Sequence, residues 1–198
     1  MQDGKLYFIA GRSRVGKTWY VSRLTKKSKR LLIYDPKGKP SDYPGCHVIE
    51  SPKVLIETLK KAGKGAGRYR FIDQGKKYFG WWCRVAYAWG KIQTCDVVAD
   101  ELAAVTSPAK APGGWHELLS QALGFGINIF AITQRPAESD KTAISNCTLM
   151  TAFHSQRRAD RQYMADEMDI DRRLIDELKP LQGITVRPGE SPEIFSLK

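Results

Sequence analysis

Gly11-Arg12-Ser13-Arg14-Val15-Gly16-Lys17-Thr18 is the most informative stretch of the sequence. It has the pattern Gly-x4-Gly-Lys-Thr, in which the glycines let successive backbone N–H groups point at phosphate oxygens. The lysine of this pattern reaches the β- and γ-phosphates of a nucleotide, and the threonine hydroxyl can bind Mg²⁺. The stretch, called the phosphate loop below, therefore predicts a site for ATP and Mg²⁺.

The residues on either side of the phosphate loop have the pattern that the motif requires. Leu6-Tyr7-Phe8-Ile9-Ala10 is a short apolar run that predicts a buried strand, and a helix is expected from about Lys17. The N-terminus of that helix would add its dipole to phosphate binding. Arg12 and Arg14 lie inside the loop, where they either add positive charge near the nucleotide or face solvent or a neighbouring subunit.

Strand and helix patterns alternate along the chain, which indicates an α/β fold. Strands are expected at residues 6–10, 31–34, 68–72, 95–99, 127–133 and 149–153, and a terminal hairpin at 183–186 and 193–197. Helices are expected at residues 17–26, 52–61 (with Ser51 as its cap), 79–89, 115–123, 157–168 and 171–178. We therefore expect a mostly parallel central sheet with helices on both faces, a C-terminal β-hairpin, and one domain over residues 1–198.

Two carboxylates follow the apolar run Val97-Val98-Ala99. In proteins with a phosphate loop, an aspartate at such a strand end holds the Mg²⁺ shell, which is the role predicted for Asp100. A following glutamate can accept a proton from the attacking water, which is the role predicted for Glu101. This order of acids favours hydrolysis over transfer of phosphate to a small molecule. Asp100 and Glu101 are called the acid pair below.

A third polar signal ends the strand predicted at 127–133, where the sequence reads Thr133-Gln134-Arg135-Pro136. The Gln134 amide has the chemistry to contact the γ-phosphate or the attacking water. It could equally report the state of the nucleotide to a DNA-binding loop. Together, Lys17, Asp100, Glu101 and Gln134 are the predicted catalytic residues.

Charge points to a polyanionic partner. The 198-residue chain has a formal net charge of +11, which favours nucleic acid over a mere solubility role. The loop from Thr106 to Gly114, which carries Lys110, either grips DNA phosphates or is a plain connector. No run of about 18 apolar residues and no secretory signal is present, so we expect the protein to stay in the cytoplasm where it is made.

The sequence resembles the HerA/FtsK superfamily of DNA-pumping ATPases. The resemblance rests on the phosphate loop, on Asp35-Pro36-Lys37-Gly38, on the acid pair and on Thr133-Gln134-Arg135-Pro136, in that order over roughly residues 5 to 155. It implies a RecA-like P-loop NTPase that forms a ring, a hexamer, and moves double-stranded DNA through it with ATP.

The short, one-domain build is most similar to the genome-packaging ATPases of membrane-containing icosahedral viruses. That resemblance implies capsid or membrane proteins of a virion vertex as partners, and action in the host cytoplasm or at the vertex. A cellular or plasmid DNA-transfer ATPase of the same superfamily is one alternative, and a non-motor P-loop enzyme is another. A filamentous-phage assembly ATPase would need a transmembrane helix, for which the sequence shows no pattern.

One feature departs from the superfamily. Its members often carry an arginine in or after the helix before the strand at 127–133, but residues 120–126 read Ser-Gln-Ala-Leu-Gly-Phe-Gly. An arginine finger, which stabilises transition-state charge from a neighbouring subunit, must therefore lie elsewhere. The candidates are Arg84, Arg135, Arg157, Arg158 and Arg161.

Overall fold

The computed structural model describes residues 3–197. Its strands are β1 (Leu6–Ala10), β2 (Arg30–Asp35), β3 (His47–Ile49), β4 (Gly67–Ile72), β5 (Asp96–Ala99), β6 (Asn128–Thr133), β7 (Leu149–Phe153), β8 (Gln182–Val186) and β9 (Glu193–Ser196). Its helices are α1 (Lys17–Leu24), α2 (Pro52–Ala62), α3 (Phe79–Ile92), α4 (Gly113–Gln121), α5 (Lys141–Ser145), α6 (Arg158–Glu167) and α7 (Arg173–Asp176). Within the described range, no helix has the length and apolar character needed to cross a bilayer.

All nine strands form one sheet in the order β3-β4-β2-β5-β6-β1-β7-β8-β9. The pairs from β3 to β7 are parallel, and β8 and β9 add an antiparallel hairpin at one edge. The predicted α/β fold, with a mostly parallel sheet and a C-terminal hairpin, is confirmed.

The helices cover the two faces of the sheet unequally. Successive strand residues point to opposite faces, so Leu6 and Phe8 of β1 join one core and Ile9 joins the other. The first core is packed against α2 to α7 and includes Trp82. The second face is covered by α1, through Val21, and by parts of loops and the terminal hairpin. Both faces are therefore covered, one of them by a single helix.

Several short elements differ from the sequence prediction. The strand β3 was not expected, because two of its three residues are exposed and give no apolar run. The five-residue helix α5 was also missed; its cap is Asp140, whose carboxylate accepts a hydrogen bond from Thr142 N. Ser51 does stand at the start of α2, but its side chain makes no capping hydrogen bond.

Candidate nucleotide-binding and hydrolysis site

The site lies at the edge of the sheet where the parallel strands end. The phosphate loop follows β1, the acid pair follows β5, and β6 lies between these two strands. Gln134, the first residue after β6, therefore stands between the phosphate loop and the acid pair. Parallel strands bring their carboxyl ends to one edge, which is why residues more than 80 positions apart in sequence meet here.

The backbone of the phosphate loop is fixed at its start. Gly11 has φ 153°, and a Cβ at this position would lie 2.7 Å from the Cβ of Phe153. Gly11 N donates a hydrogen bond to Thr133 O over 3.3 Å, and Arg12 N donates to His154 O over 3.2 Å. The loop is thus held by the two strands that flank β1, and only glycine fits its first position.

Lys17 folds its side chain back into the phosphate loop. Its Nζ donates hydrogen bonds to Gly11 O at 2.6 Å and to Arg12 O at 2.7 Å, and only 6% of the residue is exposed. Burial lowers the pKa of Lys17 to about 8, although the nearby Glu101 acts in the opposite direction. The ammonium is therefore poorly solvated, and phosphate oxygens would satisfy it better than two carbonyls do.

A cavity of about 360 Å³ opens in front of the phosphate loop. Its lining includes Ser13, Gly16, Lys17, Thr18, Lys37 and Gln134. Arg12 and Arg14 are both exposed, and Val15 is buried in the core. We call this space the nucleotide cavity.

Asp100 is buried beside the nucleotide cavity, with 1% of its surface exposed. The Tyr43 hydroxyl donates a hydrogen bond to its Oδ2 over 3.0 Å. Within residues 3–197, Oδ1 has no hydrogen-bond partner, and the Lys37 ammonium forms an ion pair with it at 3.5 Å. Burial raises the pKa of Asp100, while Lys37 opposes that shift. A buried carboxylate oxygen without a hydrogen bond is a strong acceptor that lacks a donor.

Glu101 is held by two neighbours from other strands. Its backbone has φ 56°, a left-handed conformation that is unusual for glutamate. Gln134 donates to it twice, from N to Oε1 at 3.3 Å and from Nε2 to Oε2 at 2.6 Å. Lys37 forms an ion pair with Oε2. Strained backbones of this kind persist where the surrounding structure fixes them, and functional sites are a common place for them.

Lys37 is the residue of the site to which sequence reasoning gave no role. It belongs to Asp35-Pro36-Lys37-Gly38, which served to establish a resemblance, and that motif was the signal that could have singled it out. Tyr43, the donor to Asp100, carried no sequence signal because it lies outside the quoted motifs, in the loop between β2 and β3.

The turn that carries Lys37, residues 35–39, is built on a buried ion pair. Asp35 Oδ1 accepts hydrogen bonds from Lys37 N at 2.7 Å and Gly38 N at 3.1 Å. Arg70 donates from Nε to Asp35 Oδ2 over 2.8 Å and from Nη2 to Lys39 O over 2.6 Å. Asp35 and Arg70 are 0% and 2% exposed. We call residues 35–39 the Lys37 turn.

Four of the five candidate finger arginines lie in the segment from the end of β6 to α6, where Arg135 and Arg157 line one cavity, and Arg84 lies on α3. Arg84 pairs with Glu117 at 3.5 Å, Arg135 with Asp160 at 3.1 Å, and Arg157 with Glu138 at 3.3 Å, while Arg158 is exposed at the start of α6. Arg161 has more partners than these and is less exposed: it bonds to Ser155 O at 2.7 Å, to Gln156 O at 2.8 Å and to Asp176, and its side chain is 17% exposed. These bonds occupy its guanidinium and leave it badly placed to reach a neighbour.

The donor set at the strand ends fits a magnesium ion that accompanies a nucleotide. Asp100 supplies a buried carboxylate oxygen without a hydrogen bond, and Thr18 adds a hydroxyl at the nucleotide cavity. Oxygen ligands of this kind, completed by phosphate oxygens and water, are those that Mg²⁺ takes.

The mostly parallel sheet, with the phosphate loop between β1 and α1, is the fold of P-loop NTPases. The fold is similar to B204, the DNA-packaging ATPase from Sulfolobus Turreted Icosahedral Virus, with a TM-score of 0.77, 17% identity and coverage of 99% of this chain and 98% of that one. It is equally similar to the genome packaging NTPase B204 from Sulfolobus turreted icosahedral virus 2 in complex with AMPPCP, with a TM-score of 0.77, 14% identity and 97% of each chain covered.

In sequence, the chain is similar to Protein P9 of Pseudoalteromonas phage PM2. The two are 26% identical over 181 residues, which are 90% of this chain and 80% of the phage protein. No family model matches the sequence.

Proposed function

We propose that this protein hydrolyses ATP and uses the energy to move double-stranded DNA into a viral capsid. The observation that carries the proposal is the convergence of the phosphate loop, the acid pair and Gln134 at one edge of the sheet. The similarity to B204 supports it, because both chains are covered almost completely and B204 is described as a packaging ATPase.

Each residue of the site has a role in this proposal. Residues Gly11 to Thr18 bind the phosphates through backbone N–H groups and the Lys17 ammonium. Thr18 and Asp100 hold Mg²⁺, which neutralises charge on the β- and γ-phosphates when it is bound. Glu101 accepts the proton of the attacking water, and Gln134 orients Glu101 through its two hydrogen bonds.

DNA contact is proposed for the turn that follows the acid pair. Ser107 and Lys110 bond to each other's backbone in both directions, at 2.9 and 3.2 Å, so that Lys110 stands exposed at a tight turn. Only a short 3₁₀ helix, Leu102–Ala104, separates Glu101 from this segment. A lysine in such a place can grip a DNA phosphate and move with the acid pair, and the net charge of +11 favours phosphate contacts.

We further propose that residues 1–198 act as one ATPase domain within a homo-oligomeric ring, a hexamer, in the host cytoplasm at a vertex of the virion. Capsid or membrane proteins of that vertex would be its partners. The arginine finger in such a ring would come from Arg84, Arg135, Arg157 or Arg158. Arg161 is the weakest candidate, because three partners occupy its guanidinium and its side chain is only 17% exposed.

The proposal is tested by measuring ATP hydrolysis with and without linear double-stranded DNA. We expect hydrolysis that DNA accelerates and that high salt returns to the DNA-free rate, because phosphate contacts weaken steeply with salt. Absence of hydrolysis under both conditions would contradict the proposal. A hydrolysis rate that DNA does not change would support the ATPase activity and contradict the proposed movement of DNA.

A pair of lysine variants locates the DNA contact. Lys110→Ala should weaken DNA binding and reduce the slope of log affinity against log salt by about 1, with the DNA-free ATPase rate unchanged. Lys64→Ala is the matched control, because Lys64 is also exposed but precedes β4, at the opposite edge of the sheet. Equal effects of the two substitutions would argue against a specific role for Lys110.

A further inference from the structure

Lys37 lies between the nucleotide cavity and the acid pair. Its Nζ forms ion pairs with Glu101 Oε2 and with Asp100 Oδ1, and its side chain is 26% exposed. The same side chain borders the nucleotide cavity together with Lys17 and Thr18. One ammonium group thus stands against both acids and beside the space where phosphates would bind.

The backbone beneath Lys37 is rigid, while its side chain has freedom to move. Asp35 Oδ1 accepts from Lys37 N, and Arg70 fixes Asp35 from the opposite side. The four-carbon stem of Lys37 is aliphatic and flexible, so its rotations can redirect the ammonium once its ion pairs are broken. The backbone of the Lys37 turn is therefore fixed, and the movable part of Lys37 is its side chain with the ammonium group.

In this arrangement Glu101 is poorly placed to act as a base. A carboxylate has about four acceptor positions, and three are taken by Gln134 N, Gln134 Nε2 and Lys37 Nζ. The Lys37 ammonium also occupies the position beside Glu101 Oε2 that a water molecule would need. Freeing Glu101 for water requires the ammonium to leave.

We propose that Lys37 is a positioning residue that restrains Glu101 until a nucleoside triphosphate is bound, when its ammonium turns to the terminal phosphate. This inference rests on the proposed ATPase function. Mg²⁺ held by Asp100 would add positive charge beside Lys37, and the γ-phosphate of a triphosphate would give the Lys37 ammonium a further anionic partner in the nucleotide cavity. A diphosphate lacks that partner, so Lys37 stays with Glu101.

The proposal is tested by calorimetric titration with two probes, ADP and the non-hydrolysable triphosphate AMPPCP, both with Mg²⁺. Lys37→Met keeps the length of the side chain and removes its charge. It should lower AMPPCP affinity about 10- to 100-fold, the range of a charge-assisted hydrogen bond, and change ADP affinity less than about threefold. A merely structural role for Lys37 would weaken both nucleotides alike.

Lys39→Met is the matched control, because Lys39 is two residues away, is exposed and also borders the nucleotide cavity. Its ammonium has no ion pair in the part of the chain that the structure describes. It should change the affinity for both probes by the same small factor. Lys37→Arg, which keeps the charge, should retain the preference for AMPPCP, and its folding is checked by thermal denaturation.

The outcomes separate this inference from the proposed function. An AMPPCP-to-ADP affinity ratio that Lys37→Met leaves unchanged overturns the role of Lys37, whatever the ATPase rate. The role of Lys37 is also overturned if Lys37→Arg and Lys37→Met, both folded, reduce the AMPPCP-to-ADP affinity ratio to the same extent. A wild type that binds both probes but never hydrolyses ATP contradicts the proposed function, while the affinity ratio still tests Lys37.

Discussion

The phosphate loop and the acid pair lie at the same edge of the sheet, yet they are held in different ways. The phosphate loop is fixed by backbone hydrogen bonds and by the conformation of Gly11 and Gly16, and Lys17 bonds carbonyls of the loop itself. The acid pair is fixed by side chains from other segments: Lys37 and Tyr43 follow β2, and Gln134 follows β6. The phosphate loop is one continuous stretch anchored to two neighbouring strands, whereas the groups that hold the acid pair are scattered along the chain.

That difference predicts how each region responds to substitution. A loop shaped by its backbone is sensitive to an added Cβ at Gly11. A site built from side chains depends on distant residues, and one of them, Tyr43, lies outside the quoted motifs. Substitutions in the two regions therefore test whether the contrast is real.

The largest effect is expected from the ion pair beneath the Lys37 turn. Arg70→Met leaves the carboxylate of Asp35 buried without a cation, which costs about 3–5 kcal/mol of unfolding free energy. Chemical denaturation of the purified variant measures this. Arg187→Met is the control, because Arg187 pairs with Glu190 on the surface, and it should change stability little. Similar stability losses in the two variants would refute the buried role of Arg70.

A smaller loss is expected from the first position of the phosphate loop. Gly11→Ala places a Cβ 2.7 Å from that of Phe153 on a backbone with φ 153°, at a cost of about 1–3 kcal/mol. Nucleotide affinity should fall with it. Gly189 has φ 78° with nothing within 4 Å of an added Cβ, so Gly189→Ala should leave nucleotide affinity intact. An unchanged affinity in Gly11→Ala would show that the loop is less constrained than its geometry indicates.

The pKa of Lys17, in the phosphate loop, depends both on burial and on Glu101 of the acid pair. Because burial lowers its pKa to about 8, the ammonium is lost from the nucleotide-free protein above that pH. ATP affinity should therefore fall above about pH 8, by up to about tenfold per unit, since binding must then take up a proton. Calorimetry across this range measures the slope. The Lys17→Arg variant stays charged, so its ATP affinity, though altered, should not change with pH in this range. A wild-type affinity that does not change with pH would contradict the lowered pKa of Lys17.

The same pKa shift has the opposite consequence for folding. Between about 8 and the ordinary value of 10.5, the unfolded chain carries a proton on Lys17 that the native protein has released. The contribution of Lys17 to stability therefore rises with pH over this window. Substitution of Lys17 by arginine removes that rise.

The smallest effect is expected at Tyr43, the residue least visible in the sequence. Tyr43→Phe removes the hydrogen bond to Asp100 Oδ2 and should cost about 1 kcal/mol of stability. Tyr7→Phe is the control, since within residues 3–197 the Tyr7 hydroxyl has no hydrogen-bond partner. Equal stability of Tyr43→Phe and wild type would show that the hydrogen bond from Tyr43 to Asp100 does not stabilise the site.

The contrast also explains what could be predicted from the sequence. The strands β1, β2, β6 and β7 were predicted almost to the residue, because a strand buried on both faces is a continuous apolar run. The short edge strand β3 and the helix α5 lack such runs and were missed. The order of strands in the sheet depends on pairing between distant segments, which periodicity does not encode.

Within the site, prediction reached the residues that sit in motifs. Lys17, Asp100, Glu101 and Gln134 all lie at strand ends or in the phosphate loop, and the structure brings them to one edge. The hydrogen bonds between Gln134 and Glu101 were not predicted, because they depend on β6 lying next to β5. Lys37 and Arg70 act through tertiary contacts, and of the two only Lys37 lies in a motif that could have marked it.

The Glu101→Gln variant tests directly whether the acid pair hydrolyses a nucleotide that the phosphate loop holds. Its kcat for ATP hydrolysis should fall about 10²- to 10⁴-fold, the contribution of a general base, while its calorimetric ATP affinity stays close to that of the wild type. Full hydrolysis by Glu101→Gln would contradict the account, since it would show that water is activated elsewhere.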